Sequence, residues 1–572
     1  MSAEGVNLTM FGAMAVVFIV VTLLLGYYGY KHTRNNDDFL LGRNKTSPII
    51  IALSYGATFL SASAVIGFGG QSAVHGMSLM WLCFLNLFVG LVVAFLVFGG
   101  RTRKIGRKLG ASTFADLLGK VYKSKGIRAF TAILIIIMMP IYAAAVLKGG
   151  VNSIAVMTGL TEYYNYILIL LSLIVAIYVV YGGIIAVMYN DALQAAIMFI
   201  GMAVILVVTY AVLGGVGDAT SSLTGLWDQK IGETNLGVLE GFNGWTSMSD
   251  FGSKEWMTVV TTFVMGVGIG ALTQPQLVVR YMSAKSDKDL NKSLIYGSVF
   301  MLVIVGSAYT VGALSNVYFN NEYGMTAFQY ITSIGLGTDF IIPQYIVEVF
   351  HGMTFGDLFI SLFLLSLICA AISTISALMH TIGAAGGYDL YTLIKNKKGM
   401  EGDSKSVNVN RIVIVIMLVL VVVYCYLMPK DIIAKATSVF MGMTAAALLP
   451  AYFHALYAKK NPCKSAAIAS IVAGTGSYLF SALFLNTGMS IFLPICKLIT
   501  GEAVLFPDSI ISSVDPLIIS LPLSIITMAL ALVYFRRKEV SGTTAYTRFL
   551  AGVHPLLFYI LPLISSPSRM IR

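Results

Sequence analysis

The sequence predicts an all-α integral membrane protein with about 13 transmembrane helices, and three observations support that prediction. Of its 572 residues, 57% are hydrophobic and 11% are charged, with a mean hydropathy of +0.84. The apolar residues form runs of about 20, the length of a membrane-spanning helix. Lys and Arg collect in alternate loops between these runs. Soluble domains carry about 25% charged residues, so a chain of soluble domains is excluded.

The apolar runs give the number and the positions of the predicted spans. They are 8–30, 48–70, 77–99, 128–158, 162–182, 190–214, 255–279, 292–318, 356–389, 409–428, 431–457, 464–485 and 513–535. A further run, 549–566, contains two prolines, which interrupt a helix. It is therefore predicted either as a fourteenth span or as an interfacial helix.

The loop charges predict the orientation in the membrane. Of the 37 Lys and Arg residues, 29 lie in the loops that face the cytoplasm when the N-terminus is outside. Cytoplasmic loops of membrane proteins carry such an excess. We therefore predict a multi-pass protein of the plasma membrane with its N-terminus outside. The net charge of +11 follows from this loop asymmetry, and no nucleic-acid partner is predicted.

Two of the predicted spans contain residues that interrupt a helix. Run 48–70 includes four glycines, and run 255–279 includes the alternate glycines of Gly266–Gly270 followed by Pro275. Glycine weakens a helix and proline removes a backbone donor. Close packing of helices through small residues is the alternative explanation for either span alone.

The order of these two spans predicts an inverted repeat. With the first span set aside, they are the first and the sixth of the next ten, which divide into two halves of opposite direction. Discontinuous helices at matching places in two such halves mark the midplane site of a secondary transporter. We predict four parts: an N-terminal span and inner loop (1–47), a first five-helix repeat (48–214), a second, inverted repeat (255–457), and C-terminal spans with a tail (458–572).

Hydroxyl side chains cluster in run 356–389. Ala370, Ser373 and Thr374 are spaced i, i+3 and i+4, so they share one helix face, which Ser376 continues. Such hydroxyls often bond back to the carbonyl oxygen four residues earlier. A cluster that faces a broken helix is also an oxygen cage suited to a hard monovalent cation. Spacing alone leaves both interpretations open.

Asp191 and Lys148 are charged residues within predicted spans that bear on function. Asp191 begins run 190–214, and an acid inside the membrane is costly and usually functional. Near the end of a span, however, an acid also complements a helix N-terminus at little cost. Lys148 either extends toward the interface or pairs with an anionic substrate. The sequence alone decides neither case.

Missing motifs exclude several classes of protein. The chain has no GxxxxGK[ST] phosphate-binding loop and no HExxH metalloprotease motif. No predicted loop is large enough for an enzymatic domain. We therefore predict neither an enzyme nor an ATP-driven pump, and no organic cofactor. An ion channel remains the non-transporter alternative, although no continuous polar stripe supports it.

Several motifs, in the right order and in the right spans, resemble those of the sodium:solute symporter family. They are NNDDFLLGRN (35–44), ALSYGATFLSAS (52–63), YGGIIAVMYNDALQ (181–194), GIGALTQPQLVVRYMSAKS (268–286) and AAISTISA (370–377), followed by YDLY (388–391). The resemblance covers about residues 10–535. It implies the leucine-transporter-type fold, with one extra span before the two inverted five-helix repeats and two or three spans after them.

The resemblance also implies site residues. The main sodium site would use the backbone carbonyls of Ala57, Leu60 and Ala370 and the hydroxyls of Ser373 and Thr374. A second sodium site, found in some members, would use Asp191 and Ser376 together with those two hydroxyls. Tyr142 matches a substrate-facing tyrosine, and Gln274 lies beside the second break. The chain departs from the sodium/proline symporter at Phe59, where that protein has an acid, and at the pocket positions Val267 and Ala271, where it has aromatic residues.

Together these features predict a sodium-coupled symporter that imports a small organic solute. A carboxylate is the first expectation, because amides freed at Gly266–Gly270 would bind it and Lys148 would add a positive charge. A proline-like amino acid is the alternative, which the departures at Phe59, Val267 and Ala271 weigh against, and a sugar ranks last. The predicted partners are the solute, sodium and the lipid bilayer. The oligomeric state and the number of sodium ions are left open.

Overall fold

The computed structural model describes residues 6–42, 46–228, 237–395, 406–428, 433–458, 461–491 and 493–541. These residues form helices and short connections, with one isolated bridge between Thr46 and Ala284. The prediction of an all-α chain is confirmed. The predicted run 549–566 lies outside the described residues.

The first half of the chain contains helices α1 to α12. They are α1 (Leu8–His32), α2 (Asn36–Leu41), α3 (Pro48–Phe59), α4 (Phe68–His75), α5 (Met80–Leu87), α6 (Gly100–Leu109), α7 (Phe114–Val121), α8 (Lys125–Met157), α9 (Tyr164–Val212), α10 (Val216–Asp228), α11 (Lys254–Trp256) and α12 (Val267–Gly270). Three π-helical segments connect some of these: Ser63–Gly67, Phe88–Gly99 and Met257–Gly266.

The second half contains helices α13 to α24. They are α13 (Pro275–Ser283), α14 (Asp287–Tyr323), α15 (Ala327–Ser333), α16 (Ile341–Phe350), α17 (Gly356–Ala384), α18 (Tyr391–Lys395), α19 (Ser406–Leu427), α20 (Ile433–Tyr457), α21 (Lys464–Phe480), α22 (Thr487–Ser490), α23 (Ile495–Thr500) and α24 (Pro516–Ser541). Two more π-helical segments are Ala385–Leu390 and Ser481–Leu485.

The number of spans differs from the predicted thirteen. Within the described ranges, 11 helical segments are long and apolar enough to cross a membrane. Two of these segments each overlap more than one predicted run. They are Ser63–Leu109, with 47 residues, and Thr161–Val212, with 52. The second is bent at Gly183, whose φ of +56° and ψ of −154° lie outside the helical region. The count of thirteen is therefore not confirmed.

The first predicted break is present where the sequence places it. Helix α3 ends at Phe59, and Leu60 leaves the helical region with φ −89° and ψ 72°. The chain becomes helical again in the π-helical segment Ser63–Gly67, which leads into α4. Two short half-helices therefore replace one continuous span.

The second break lies further along the chain than predicted. Gly266 and Gly270 keep right-handed helical dihedrals, and the helix continues to Thr273. Gln274 then turns extended, with ψ 113°, and α13 begins at Pro275. The alternate glycines serve packing instead: a Cβ on Gly270 would lie 2.5 Å from the Cβ of Met441. The predicted freeing of amides at Gly266–Gly270 is therefore wrong.

Helix α17 lies at the centre of the bundle and carries the hydroxyl cluster. It is buried along nearly its whole length and contacts α8, α9 and α3. Helix α1, in contrast, exposes most of its apolar side chains and packs mainly against α9. The centre of the molecule is thus built from α17 and the two broken spans, and α1 is a peripheral, lipid-facing span.

Candidate functional site

The first break brings backbone oxygens to the hydroxyl cluster of α17. Ser373 Oγ donates a hydrogen bond to the carbonyl oxygen of Ala57 at 3.0 Å and lies 3.2 Å from that of Ala370. Thr374 Oγ1 donates to the carbonyl oxygen of Thr58 at 3.2 Å. Four of the five predicted main-site residues therefore lie at the junction of α3 and α17, and the fifth, Leu60, caps α3.

The end of α3 explains why these carbonyls are available. The last carbonyls of a helix lack the amide donors that the next turn would supply. Because α3 stops at Phe59, the Ala57 and Thr58 carbonyls accept hydrogen bonds from α17 instead. The two hydroxyls and these carbonyls are neutral oxygens with no solvent access. Oxygens of this type are the ligands that hard cations prefer.

Asp191 lies next to this cluster and is paired with an arginine. Its Oδ2 accepts hydrogen bonds from Arg280 Nη2 at 2.8 Å, Ser54 Oγ at 2.6 Å and Thr58 Oγ1 at 3.3 Å. Both partners of the ion pair are buried, at 0% and 1% exposure. The pair joins α9 to α13, the inner half of the second broken span. Asp191 is therefore more than an acid at a helix N-terminus.

Arg280 is the residue that the sequence interpretation missed. The charge count placed it in a cytoplasmic loop, whereas the structure buries it within α13. Its Nε donates to Ser54 Oγ at 2.9 Å, its Nη2 donates to Thr58 Oγ1 at 2.6 Å, and its Nη1 donates to the carbonyl of Gln276. No local signal distinguished Arg280 from a loop arginine, because basic residues commonly follow the apolar run of a span on its cytoplasmic side.

The second oxygen of Asp191 belongs to a buried region that contains further polar side chains. In the described part of the chain, no hydrogen-bond partner is found for Asp191 Oδ1, the Tyr178 hydroxyl or either amide atom of Gln194, all of which are buried. Tyr178 lies beside both Gln194 and Ser376. Ser376 itself donates to the carbonyl of Ser373 at 2.9 Å. Buried polar groups without partners are rare and often mark a missing ligand or ion.

Tyr142 lies at the first break, as predicted for a substrate-facing residue. Its hydroxyl donates to Ser61 Oγ at 2.9 Å. Its ring stacks on Phe440 of α20, with centroids 5.4 Å apart and an angle of 18° between the planes. This aromatic pair forms one wall beside the unwound residues that follow α3.

Gln274 lies at the second break and binds across it. Its Nε2 donates to the carbonyl of Gly270 at 3.0 Å and to Thr444 Oγ1 of α20 at 2.8 Å. The side chain therefore replaces a missing backbone donor at the end of the preceding helix. Helix α20 thus contacts both breaks, through Phe440 at the first and Thr444 at the second.

The remaining predicted pocket residues are apolar and buried. Val267 is 4% exposed and Ala271 is 1% exposed. Phe59 packs near Ala271, since a Cβ on Gly90 would lie within 3.4 Å of both the Phe59 ring and the Ala271 Cβ. Gly90 leaves room for that ring. The space between the two breaks is therefore bordered by apolar and aromatic groups.

Lys148 does not face the breaks as a free positive charge. Its Nζ donates to the carbonyl oxygen of Met428, 2.5 Å away, just beyond the C-terminal end of α19. A cation at this position complements the negative end of the helix dipole. The predicted pairing of Lys148 with an anionic substrate is therefore replaced by a helix-capping role.

Comparison with known proteins identifies a family and several relatives. The model of the sodium:solute symporter family matches residues 39–474. An osmoregulated proline transporter of Bacillus subtilis is 26% identical over 510 residues, which cover 88% of this chain and 93% of that protein. A high-affinity proline transporter of the same organism is 27% identical, covering 82% and 91%. Sodium/proline symporter 2 of Staphylococcus saprophyticus is also 27% identical, covering 81% and 84%.

A solved structure supports the fold. A sodium-coupled sialic acid symporter in a substrate-bound, outward-open state superposes with a TM-score of 0.66 at 18% identity. The match covers 91% of this chain and 97% of that one. The chain therefore has the leucine-transporter-type fold that the family resemblance implies.

Proposed function

Because the chain belongs to the sodium:solute symporter family, we propose that it is a sodium-coupled symporter of the plasma membrane that imports a small, proline-like amino acid. In this proposal the N-terminus lies outside, in agreement with the loop charges. The observation that carries the proposal is the group of oxygens from Ala57, Ala370, Ser373 and Thr374 at the first break.

The relatives support an amino acid over the simple carboxylate that the sequence first suggested. The relatives named above are proline transporters, and they match over most of their length. The structure removes both arguments for a simple anion, since Lys148 caps a helix and Gly266–Gly270 stay helical. A monocarboxylate is therefore the second candidate, and a sugar remains the least favoured.

The residues that border the two breaks suit the binding of an amino acid with an apolar side chain. The positive end of α13 begins at Pro275 and attracts a carboxylate. Phe59, Val267 and Ala271 offer apolar contact for a ring or an aliphatic side chain. Tyr142 and Ser61 add hydroxyl groups at the opposite break. Phe59 stands where the sodium/proline symporter has an acid, so this pocket is less polar, and here the chain departs from the proline transporters.

Sodium at the main site couples the ion gradient to solute import. The ion would replace the hydrogen bonds of Ser373 and Thr374 with direct contacts to the carbonyls of α3, and so tie α3 to α17. An ion shifts a conformational equilibrium only by its differential affinity for the two states. Outside, high sodium favours the bridged arrangement. Inside, the ion leaves and the solute follows, as the half-helices rock about the site.

A second sodium ion is proposed at the free oxygen of Asp191. Oδ1, the Tyr178 hydroxyl, the Gln194 amide oxygen and Ser376 provide oxygens in one buried region. Arg280 already neutralises the carboxylate through Oδ2, so this site holds sodium more weakly than a free carboxylate would. The proposal therefore predicts two sodium ions per solute, with unequal affinities.

Uptake by proteoliposomes tests the main proposal. We expect labelled L-proline to accumulate with an inward sodium gradient but not with choline, and to saturate with concentration. An excess of unlabelled proline should compete, whereas lactate and glucose should not. Equal uptake in choline would contradict sodium coupling. Competition by lactate alone would support the monocarboxylate instead, and non-saturating flux would support a channel.

A further inference from the structure

A large apolar cavity opens on the side of the bundle formed by α20 and α24. Its volume is about 630 Å³, within the range of pockets that hold small molecules. Phe98, Leu449, Phe453, Ile525 and Met528 are among its lining residues. Phe453 and Ile525 remain 48% and 50% exposed. In a membrane protein such a cavity opens to lipid rather than to water.

The inner wall of this cavity reaches the second break. Leu272 lines the cavity and belongs to the single turn that precedes Gln274. Its neighbour Ala271 faces the other way, toward Phe59 and Gly90. One residue of the break therefore borders the proposed solute pocket while the next borders the lipid-facing cavity.

A basic residue, Arg101, lies at one end of the cavity. The Arg101 guanidinium lies over the ring of Tyr457, 3.8 Å from its centroid, and Nη1 donates to the carbonyl of Leu456 at 3.2 Å. Tyr457 is itself a lining residue, held by a hydrogen bond from its hydroxyl to the carbonyl of Val97 at 2.7 Å. A positive end therefore adjoins an apolar interior.

We propose that this cavity binds one anionic phospholipid, with an acyl chain inside it and the phosphate beside Arg101. Both halves of the lipid find chemical complements: the apolar walls accept the chain, and a planar guanidinium suits a phosphate. Basic pockets between helices on the cytoplasmic side are a recurring form of anionic lipid site.

The site gives lipid a route to influence transport. The acyl chain would pack against Leu272, at the point where the two halves of the broken span must move relative to each other. A bound lipid therefore stabilises one arrangement of the break over the other. This inference is independent of which solute is carried, because the cavity and the solute pocket lie on opposite sides of the break.

Thermal unfolding of the purified full chain tests the proposal. Phosphatidylglycerol and phosphatidylcholine with identical acyl chains are added to the delipidated protein in detergent. We expect phosphatidylglycerol to raise the Tm by several degrees more than phosphatidylcholine. Native mass spectrometry should show one retained phosphatidylglycerol. An equal shift with both lipids would overturn the anionic specificity.

Four variants and one substitute variant locate the site. Ala529→Trp places a bulky side chain among the lining residues and should abolish the difference between the two lipids, whereas Val472→Trp, on an exposed face of α21, should keep it. Arg101→Gln should reduce the difference, whereas Lys464→Gln, which removes another exposed charge, should not. Leu532→Trp replaces Ala529→Trp if that variant does not fold. A filled cavity with an unchanged lipid response would refute the proposal.

Discussion

The two proposed cation sites lie side by side but are built on opposite principles. The main site, between α3 and α17, consists of carbonyl and hydroxyl oxygens that carry no formal charge. The neighbouring site contains Asp191, a full negative charge, already bound to Arg280. Thr58 joins the two, since its carbonyl belongs to the first and its hydroxyl contacts the second.

This difference separates a site of neutral oxygens from one whose carboxylate always keeps a cation on one oxygen. Ser373 and Thr374 donate to the carbonyls of α3, so both hydroxyls of the main site have partners within the protein. Asp191 has no such neutral alternative, because a buried carboxylate without a cation is strongly unfavourable. Arg280 therefore acts as a permanently attached cation that also joins α9, α3 and α13. At the main site reversible binding falls to neutral oxygens, whereas at the charged site Oδ2 of Asp191 holds Arg280 and only Oδ1 remains for the proposed second ion.

The largest expected effect comes from removing one partner of the Asp191–Arg280 ion pair. Arg280→Gln leaves Asp191 buried and unpaired, which costs about 3–5 kcal/mol. We expect a large fall in Tm and loss of transport. Adding Asp191→Asn to Arg280→Gln should recover much of the stability, because the charge is then removed from both sides. If the double variant is as unstable as Arg280→Gln alone, the pair is not the source of the effect.

The main site should respond strongly to loss of its hydroxyls while stability changes little. Ser373→Ala combined with Thr374→Ala removes two oxygen ligands from a dry site, at about 1–1.5 kcal/mol each. We expect the apparent sodium constant for uptake to rise by about ten- to a hundredfold. Thr381→Ala, on the same helix with its hydroxyl bonded to the Ala377 carbonyl, is the matched control and should leave the constant unchanged. An unchanged constant in the double variant would place the ion elsewhere.

The double variant Asp191→Asn with Arg280→Gln tests whether the charged site also carries sodium, because Asp191→Asn alone would leave Arg280 buried and unpaired. The variant removes the negative charge but keeps an oxygen near Ser376 and Tyr178. We expect the charge moved per solute to fall from two to one, while sodium-dependent uptake persists. A ratio of one for a neutral solute in the unaltered protein would contradict the second ion. The carboxylate would then serve only to hold Arg280.

Tyr178→Phe is expected to have the smallest effect and to sharpen the distinction between the sites. It removes one neutral oxygen beside Ser376 and Gln194, so the weaker sodium ion loses a single ligand. We expect a rise of about fivefold in the sodium concentration needed for the second ion, consistent with about 1 kcal/mol. The main-site constant should stay the same. Equal changes at both sites would show that they do not bind independently.

The oxygen cluster of α17 could be predicted from the sequence because local spacing determines it. Residues at i, i+3 and i+4 share a helix face whatever the tertiary structure is, so Ala370, Ser373 and Thr374 could be grouped without a model. Their contact with Ala57 required the family resemblance, since 316 positions separate Ser373 from Ala57. The all-α fold followed from composition and from the length of the apolar runs.

The burial of Arg280 and the position of the second break could not be predicted from the sequence, and the reasons differ. Positive charge near the end of a span normally marks a cytoplasmic loop, and only tertiary packing shows that Arg280 turns inward to Asp191. The glycines of Gly266–Gly270 suggested an unwound segment, yet their small size serves contact with Leu85 and Met441. Pro275 ends the preceding helix and begins α13 instead. Glycine alone does not distinguish close packing from a break.

Two of the π-helical segments lie near the breaks. Ser63–Gly67 follows the first break, and Met257–Gly266 precedes the helix that ends at the second. A π-helix bonds each amide to the carbonyl five residues back, one more than in an α-helix. Converting such a segment to an α-helix changes its length and rotates the residues that follow it. Its backbone amides keep carbonyl partners throughout. The helices that contain these two segments can therefore advance or rotate while their backbone groups remain hydrogen-bonded inside the membrane.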